Sequence, residues 1–144
     1  MTYVQEDEMS AEYVKVATDA VEEKERRGGG AASRDLAGAL GAEHMTLRCW
    51  RFGPGQAMAY HRHKTQEELY RLVSGGPQHV QIGDEMVEVN DGDWLRLPKE
   101  TPRRIMNNSE DREAIWIIMG CPPGDGIMDG IRLDPETGAE IPRN

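Results

Sequence analysis

From residue 45 to residue 121 the chain consists of short runs of alternating polar and apolar residues, and each run ends at turn-forming residues. A period of two is typical of β-strands, in which successive side chains point to opposite faces. The runs, in chain order, are MTLRCWRF, EELYRLVSG, HVQI, MVEV, WLRL and AIWIIM. The GDE sequence after HVQI predicts a tight hairpin. Strands separated by turns about every 8–12 residues are typical of an all-β sandwich or barrel, not of alternating strands and helices.

The segments that flank these runs have weaker patterns. Residues 10–27 could form a helix with Ser10 as N-cap, but YVKV alternates like a strand, so both alternatives stay open. The sequence GGGAAS predicts a flexible linker, and the tail predicts an irregular arm with a turn at DPETG. We therefore divide the chain into an N-terminal leader and linker (1–40), a barrel (41–122) and a C-terminal arm (123–144).

Charge and hydropathy exclude several classes of partner. The chain has 26 acidic and 17 basic residues and a formal net charge of −9, so nucleic acid or an anionic membrane surface would repel it. Its longest apolar runs are far shorter than the roughly 20 residues that cross a bilayer. The N-terminus is acidic where a secretory signal would be basic, and Cys49 and Cys121 form no CxxC pair. We therefore expect a cytoplasmic protein with two free thiols and no nucleic-acid or membrane partner.

The strongest chemical pattern is a pair of histidines followed by a pair of glutamates. Residues two apart on a strand point to the same side, so His61 and His63 can direct both imidazoles at one place. A short turn follows, and Glu68 then begins another strand with Tyr70 and Leu72 on its own face. Two imidazoles and a carboxylate suit a divalent transition metal. On these residues alone, solvated polar side chains at a strand end remain the alternative.

The spacing around these residues resembles the first motif of the cupin superfamily. The fixed positions of that motif are filled by Gly55, His61, His63, Glu68 and Gly75. The resemblance extends over about residues 45–120 and leaves out the leader and the tail.

The stretch GDWLRLPKETPRRIMN is similar to the second cupin motif, although the match is partial. Gly92, Pro98 and Asn107 agree with it. Glu100 stands where the family usually has glycine, and Arg103 stands where it usually has a metal-binding histidine.

The resemblance implies a double-stranded β-helix, a small jelly-roll barrel that holds a metal on inward-facing side chains. It implies His61, His63 and Glu68 as the metal ligands, with Glu67 as a rival because the family also tolerates a gap shorter by one residue. We prefer Glu68, which keeps the six-residue spacing to Gly75. The implied cofactor is a divalent transition metal (Fe, Mn, Zn or Ni) held by two histidines and one carboxylate.

The side chain of Arg103 could have one of three roles. It could grip a carboxylate or phosphate of a substrate, form an internal ion pair with one of the adjacent glutamates in a metal-free protein, or point to solvent while Arg104 faces inward. We favour the first. The two remaining histidines, His44 and His79, are expected to be polar residues at the surface or rim.

The leading functional hypothesis is a metal-dependent cupin that acts on a small polar or anionic molecule in the barrel, as an oxygenase, isomerase or lyase. Tyr70 is a candidate for orienting or protonating the substrate, and Arg103 is a candidate for gripping it. The alternative is a non-catalytic module that binds or senses a small molecule without a functional metal.

We also expect a homodimer, because AIWIIM offers apolar residues on both faces of its strand and YVKV could add to a partner's sheet edge. Each of the three tryptophans lies in a predicted strand, and we expect them in the core or at an interface, with the wall of a ligand pocket as the second alternative. They are Trp50, Trp94 and Trp116.

Overall fold

The computed structural model describes residues 12–26, 30–124 and 129–142. Within them the chain forms two antiparallel sheets and little helix, which confirms the expected all-β double-stranded β-helix. One 3₁₀ turn covers Thr18–Ala20 and one α-helix, α1, covers Leu36–Leu40, and no helix in the described ranges is long and apolar enough to cross a membrane. The strands are β1 (Glu23–Glu25), β2 (Ala32–Asp35), β3 (Thr46–Phe52), β4 (His61–His63), β5 (Glu67–Ser74), β6 (Gln78–Ile82), β7 (Glu85–Val89), β8 (Trp94–Leu97), β9 (Arg103–Met106), β10 (Ala114–Cys121) and β11 (Gly130–Arg132).

The strands divide into a six-stranded sheet A, with the order β1-β2-β3-β10-β5-β8, and a five-stranded sheet B, with the order β11-β4-β9-β6-β7. Apolar side chains from both sheets form one core. Its buried members include Phe52, Tyr70, Leu72, Val80, Val89, Leu97, Ile105, Ala114, Trp116 and Ile118. Because β4 belongs to sheet B and β5 to sheet A, consecutive segments of the chain supply side chains to the site from different sheets.

All six predicted strands are present, with ends within two residues of the predicted ones. The strand β5 shows the expected period of two, since Glu68, Tyr70 and Leu72 are buried and the residues between them are more exposed. The predicted hairpin joins β6 to β7, where Ile82 pairs with Glu85. Both cysteines are free, as expected.

The N-terminal part differs from the expectation. The described part of residues 10–27 contains the 3₁₀ turn and β1 instead of a long helix, and Ser10 lies outside the described residues. The prediction of a flexible linker is wrong at Ala32 and Ser33, which are buried in β2 and pair with β3. Small side chains are typical of linkers, but they also lose little conformational entropy when a strand buries them.

The C-terminal part also joins a sheet. The predicted turn is present, because Asp134 accepts hydrogen bonds from the backbone of Glu136 and Thr137. Before it, β11 pairs with β4 and places the tail beside the strand that carries both site histidines. The expectation of a wholly irregular arm is therefore wrong for β11. The domain limits at residues 40 and 122 remain predictions, and strands from both flanking segments pair with strands between them.

Two glycines of the motifs have different structural roles. Gly75, just after β5, has a φ of +92°, and a Cβ on it would lie 2.1 Å from the carbonyl oxygen of Glu113. Gly92 has a similar φ of +88°, but nothing lies within 4 Å of where its Cβ would be. Gly75 therefore permits a close backbone approach to the start of β10, whereas Gly92 only permits a turn.

We expect Gly75→Ala to destabilise the fold far more than Gly92→Ala. Both changes place a Cβ at positive φ, which costs roughly 1–2 kcal/mol, but only the first also forces the backbone of Glu113 to move. Urea denaturation of both variants measures the difference. Equal unfolding free energies would contradict the role of Gly75 in the close approach.

Candidate metal centre

Three predicted ligands meet in the interior of the barrel. His61 and His63 lie on β4 in sheet B, and Glu68 lies on β5 in sheet A. One ligand atom from each of the three lies within 4.8 Å of the other two. The sequence predicted that these three side chains converge from neighbouring strands. In the structure they do converge, but the two strands belong to different sheets. These residues form a group that can hold a metal ion.

Hydrogen bonds fix the orientation of both imidazole rings. His61 Nδ1 lies 2.8 Å from the carbonyl oxygen of Ala59, and His63 Nδ1 lies 2.9 Å from Oδ2 of Asp129. A carbonyl oxygen and an ionised carboxylate only accept hydrogen bonds, so each Nδ1 carries a hydrogen and donates it. In a neutral ring Nε2 then has a free lone pair, which is the form that binds metals. Burial lowers the pKa of His61 to about 4, so that its ring is neutral at pH 7.

The contact between His63 and Glu68 is suited to a bound cation. Nε2 of His63 lies 3.2 Å from Oε1 of Glu68. A lone pair that faces an anionic oxygen at this distance is unfavourable unless a cation, either a proton or a metal ion, lies with them. Two nitrogen lone pairs and a carboxylate therefore fit a divalent transition metal by their chemistry as well as by their proximity.

Asp129 is a site residue that the sequence reasoning missed. Besides His63, its fully buried carboxylate accepts hydrogen bonds from the backbone and hydroxyl of Thr65 and from the backbone of Gln66. Burial raises the pKa of Asp129, but these hydrogen bonds outweigh that effect and hold it below its usual value. The residue lies just before β11, and the alternation of Ile131 and Leu133 is the only signal in the sequence that could have placed this segment in a strand.

Arg103 forms the internal ion pair that was one of its three alternatives. Its Nη2 donates to Oε1 of Glu68 at 2.7 Å, and its Nη1 donates to the carbonyl oxygens of Pro98 and Thr101. The alternative in which Arg103 points to solvent is wrong, because its side chain is 0 % exposed. Arg104 projects differently and donates to the side chain of Gln81. The guanidinium of Arg103 is thus engaged by the protein itself, and the geometry favours the internal pair over the substrate grip.

The structure separates the two adjacent glutamates. Glu67 is exposed and pairs with Arg96, whereas Glu68 is buried beside His63 and Arg103. Burial raises the pKa of Glu68, but the hydrogen bonds and charges of His63 and Arg103 outweigh it and hold that pKa below its usual value. All of its hydrogen bonds within the described ranges go to Oε1. This arrangement favours Glu68 as the ligand and leaves Oε2 to bind a metal.

The group opens into a cavity of about 870 Å³. Tyr70 lies in its wall, and its hydroxyl donates to Oε1 of Glu68 at 3.4 Å. Burial raises the pKa of Tyr70, so the hydroxyl keeps its proton. The tryptophans divide among three environments: Trp116 is in the core, Trp94 is 56 % exposed and Trp50 lines the cavity. The core expectation is confirmed for Trp116, and the pocket-wall alternative for Trp50.

A family model of the cupin domain matches residues 48–120, just over half of the chain. The chain belongs to the cupin family. Among curated protein sequences, none matches this cupin.

Solved structures share the fold at low sequence identity. A sugar phosphate isomerase of the cupin superfamily from Silicibacter pomeroyi has a TM-score of 0.69 and 18% identity, over 90% of this chain and 92% of that one. The polyketide cyclase RemF from Streptomyces resistomycificus has a TM-score of 0.65 and 18% identity, over 74% and 78%. A predicted oxalate decarboxylase from Thermotoga maritima has a TM-score of 0.65 and 16% identity, over 75% and 98%. These similarities support the fold of this cupin.

We expect Arg103→His to lower the unfolding free energy by roughly 3–5 kcal/mol, because a buried carboxylate loses its partner. Arg96→His is the matched control, since it breaks the neighbouring pair with Glu67, whose side chains are 64% and 56% exposed. That exposed pair contributes at most about 1 kcal/mol. Both variants should be unfolded with denaturant in the presence of a chelator, so that an added metal ligand cannot offset the loss. Similar losses in the two variants would exclude a stabilising role for the buried pair.

Proposed function

We propose that this cupin binds a divalent transition metal through Nε2 of His61, Nε2 of His63 and Glu68, and that it acts on a small polar or anionic molecule in the adjoining cavity. The observation that carries the proposal is the arrangement of the donor atoms. Two imidazoles present Nε2 lone pairs beside an ionised carboxylate. A cation bound among these atoms would offset the repulsion between the lone pair of His63 and the carboxylate of Glu68. Iron, manganese, zinc and nickel all accept such a donor set.

A bound metal of this kind supplies Lewis-acid chemistry and leaves coordination positions open for a substrate. The protein's own residues hold the ligands in place. Asp129 orients the ring of His63, as carboxylates commonly do behind a metal-binding histidine. Arg103 acts through Glu68, whose carboxylate it fixes against β9. Since Arg103 does not reach the cavity wall within the described ranges, its role in this proposal is positioning.

Tyr70 is proposed to orient the substrate. Tyr70 lines the cavity and its hydroxyl keeps its proton, so the hydroxyl can accept a hydrogen bond from a bound molecule, or donate one by turning away from its long contact with Glu68. The raised pKa makes it a weak acid, which favours orientation over proton donation. Oxygenation, isomerisation and lyase-type proton transfer all suit this arrangement. Two structures with the same fold are named for sugar phosphate isomerisation and for predicted oxalate decarboxylation, whose substrates are anionic.

A metal-free binding module is the second candidate, and one contact favours it. A proton on Nε2 of His63 would satisfy the same lone pair, with the imidazolium held between Asp129 and Glu68. Arg103 already neutralises Glu68 in part. In that case the barrel binds or senses a small molecule without metal chemistry. The two candidates differ in metal content, which the next experiment measures.

We expect protein purified without a histidine tag to contain close to one metal ion per chain, and the double variant His61→Ala, His63→Ala to contain almost none. His79→Ala is the control, because His79 lies on β6 outside the ligand group. Elemental analysis of the three proteins gives the result. Metal in the double variant at the wild-type level would show that the ligand assignment is wrong, and a metal-free wild type that chelator leaves unchanged would favour the binding module.

We expect Asp129→Asn to weaken metal binding without abolishing it. The substitution keeps the size of the side chain but weakens the acceptor that orients His63, and loss of such a partner typically weakens metal binding by about 10–100-fold. Titration with zinc in competition with a chelating dye measures the affinity. Wild-type affinity in this variant would mean that Asp129 does not support His63 in metal binding.

The homodimer and the cytoplasmic location remain proposals. Exposed apolar residues occur on the outer face of sheet A at β5 and β8, where Leu69, Val73 and Trp94 are each more than one third exposed. They alternate there with the charged side chains of Glu67, Arg71 and Arg96. The outward-facing residues of β10 beside them are only half-buried. We propose that two copies of the chain associate through this face, since exposed apolar patches of this kind mark interaction surfaces.

We expect light scattering to give twice the chain mass of 16.1 kDa at micromolar concentration. Trp94→Glu should shift the protein to a monomer, because it places a charge in the apolar face. Met86→Glu is the matched control, since Met86 is also exposed but lies on β7 of sheet B. A monomeric wild type, or a dimer that survives Trp94→Glu, would contradict this interface.

A further inference from the structure

The wall of the cavity contains three arginines from separate parts of the chain. Arg26 follows β1, Arg48 lies on β3 and Arg132 lies on β11. Of the described residues in the wall, Glu68 alone carries a carboxylate, and it is already paired with Arg103. The cavity of a strongly acidic chain is thus lined by positive charge.

Arg132 stands beside the candidate metal ligands. It is the partner of His61 in the antiparallel pairing of β11 with β4, so both side chains lie on the same face of sheet B. None of the ion pairs among the described residues involves Arg132. Its guanidinium is therefore available to a ligand that also reaches His61.

Arg48 approaches the cavity from sheet A. It shares the inner face of β3 with Thr46 and Trp50, which also line the cavity. Its protein contacts are loose: Nη1 lies 3.3 Å from the hydroxyl of Ser33, and Nη2 lies 3.9 Å from a carboxylate oxygen of Asp35. An ion pair this long and exposed contributes little, so Arg48 can turn to a better acceptor.

Arg26 completes the group by stacking on the wall. Its guanidinium carbon lies 5.2 Å from the centre of the Trp50 ring, a cation–π contact between two residues of the cavity wall. Burial lowers the pKa of Arg26, and the charges of Arg48 and Arg132 lower it further, which reflects how near the three guanidinium groups are. Like charges at close range repel one another, and an anion among them removes that cost.

We propose that Arg26, Arg48 and Arg132 form an anion subsite that holds a carboxylate or phosphate group of the molecule on which this cupin acts. Arginine forks match the oxygens of both groups and can bind them with two parallel hydrogen bonds. The identification of this molecule as the substrate rests on the proposed function. The grip on the anion, which the sequence had suggested for Arg103, is here assigned to residues that line the cavity.

The test uses the full-length protein as purified, with inorganic phosphate and succinate as separate probes in isothermal titration calorimetry. We expect binding of at least one probe, weakened at least about tenfold by Arg48→Gln and by Arg132→Gln, since each removes a charge-assisted hydrogen bond. Arg62→Gln is the matched control: it makes the same charge change on β4, but Arg62 pairs with Glu140 and does not line the cavity within the described ranges. Its affinity should stay near the wild-type value.

The comparison of the two probes identifies whether the acidic group is a phosphate or a carboxylate. No binding of either probe to the wild type, or equal losses in Arg132→Gln and Arg62→Gln, would overturn the subsite. Metal content is measured on the same samples and should be unchanged in both cavity variants. If the wild type holds no metal but binds an anion that Arg48→Gln and Arg132→Gln selectively weaken, the subsite is supported while the proposed metal function fails. If the wild type holds metal but binds neither probe, the metal site is supported while the subsite fails.

Discussion

The carboxylate of Glu68 connects the two sheets at the point where the site is built. It projects from sheet A and meets Arg103 and His63, which both belong to sheet B. Removing these charges from water is costly, and the cost is offset only when every partner is present and well placed. The position of β4 and β9 relative to β5 is therefore linked to the charge balance of three side chains, and a change in any one of them affects the other two.

The same interaction explains how this cupin can differ from the second motif of its family. A histidine at position 103 would add a neutral ligand, whereas Arg103 adds a permanent charge next to the anionic ligand. The guanidinium of Arg103 also donates hydrogen bonds to the carbonyl oxygens of Pro98 and Thr101. Its charge is thereby held by the protein, and the donor atoms of His61 and His63 stay free.

Much of the barrel follows from local sequence pattern. The strand β5 was predicted with its inward face, and the spacing of His61, His63 and Glu68 predicted that these three side chains come together. The short strands β1, β2 and β11 were not predicted, because three or four residues outside the regular series of turn-bounded runs carry too little alternation to distinguish a strand from a turn. Asp129 is separated from His63 by 66 positions in the chain, and only the pairing of β11 with β4 brings them together. Arg103 shows the same limit: three roles were open from the sequence, and its burial against Glu68 favours the internal ion pair.

The strand β11 lies at an edge of sheet B and has only β4 as its neighbour. It nevertheless connects Asp129, which is hydrogen-bonded to His63, with Arg132, which is paired with His61 across the two strands. None of its residues belongs to the hydrophobic core cluster, so we expect the barrel to tolerate substitutions in this strand. Natural variation could therefore adapt such a protein to a new molecule by exchanging this one edge segment. The exchange would alter ligand recognition through Arg132 and the basicity of His63 through Asp129, while the two sheets stay the same.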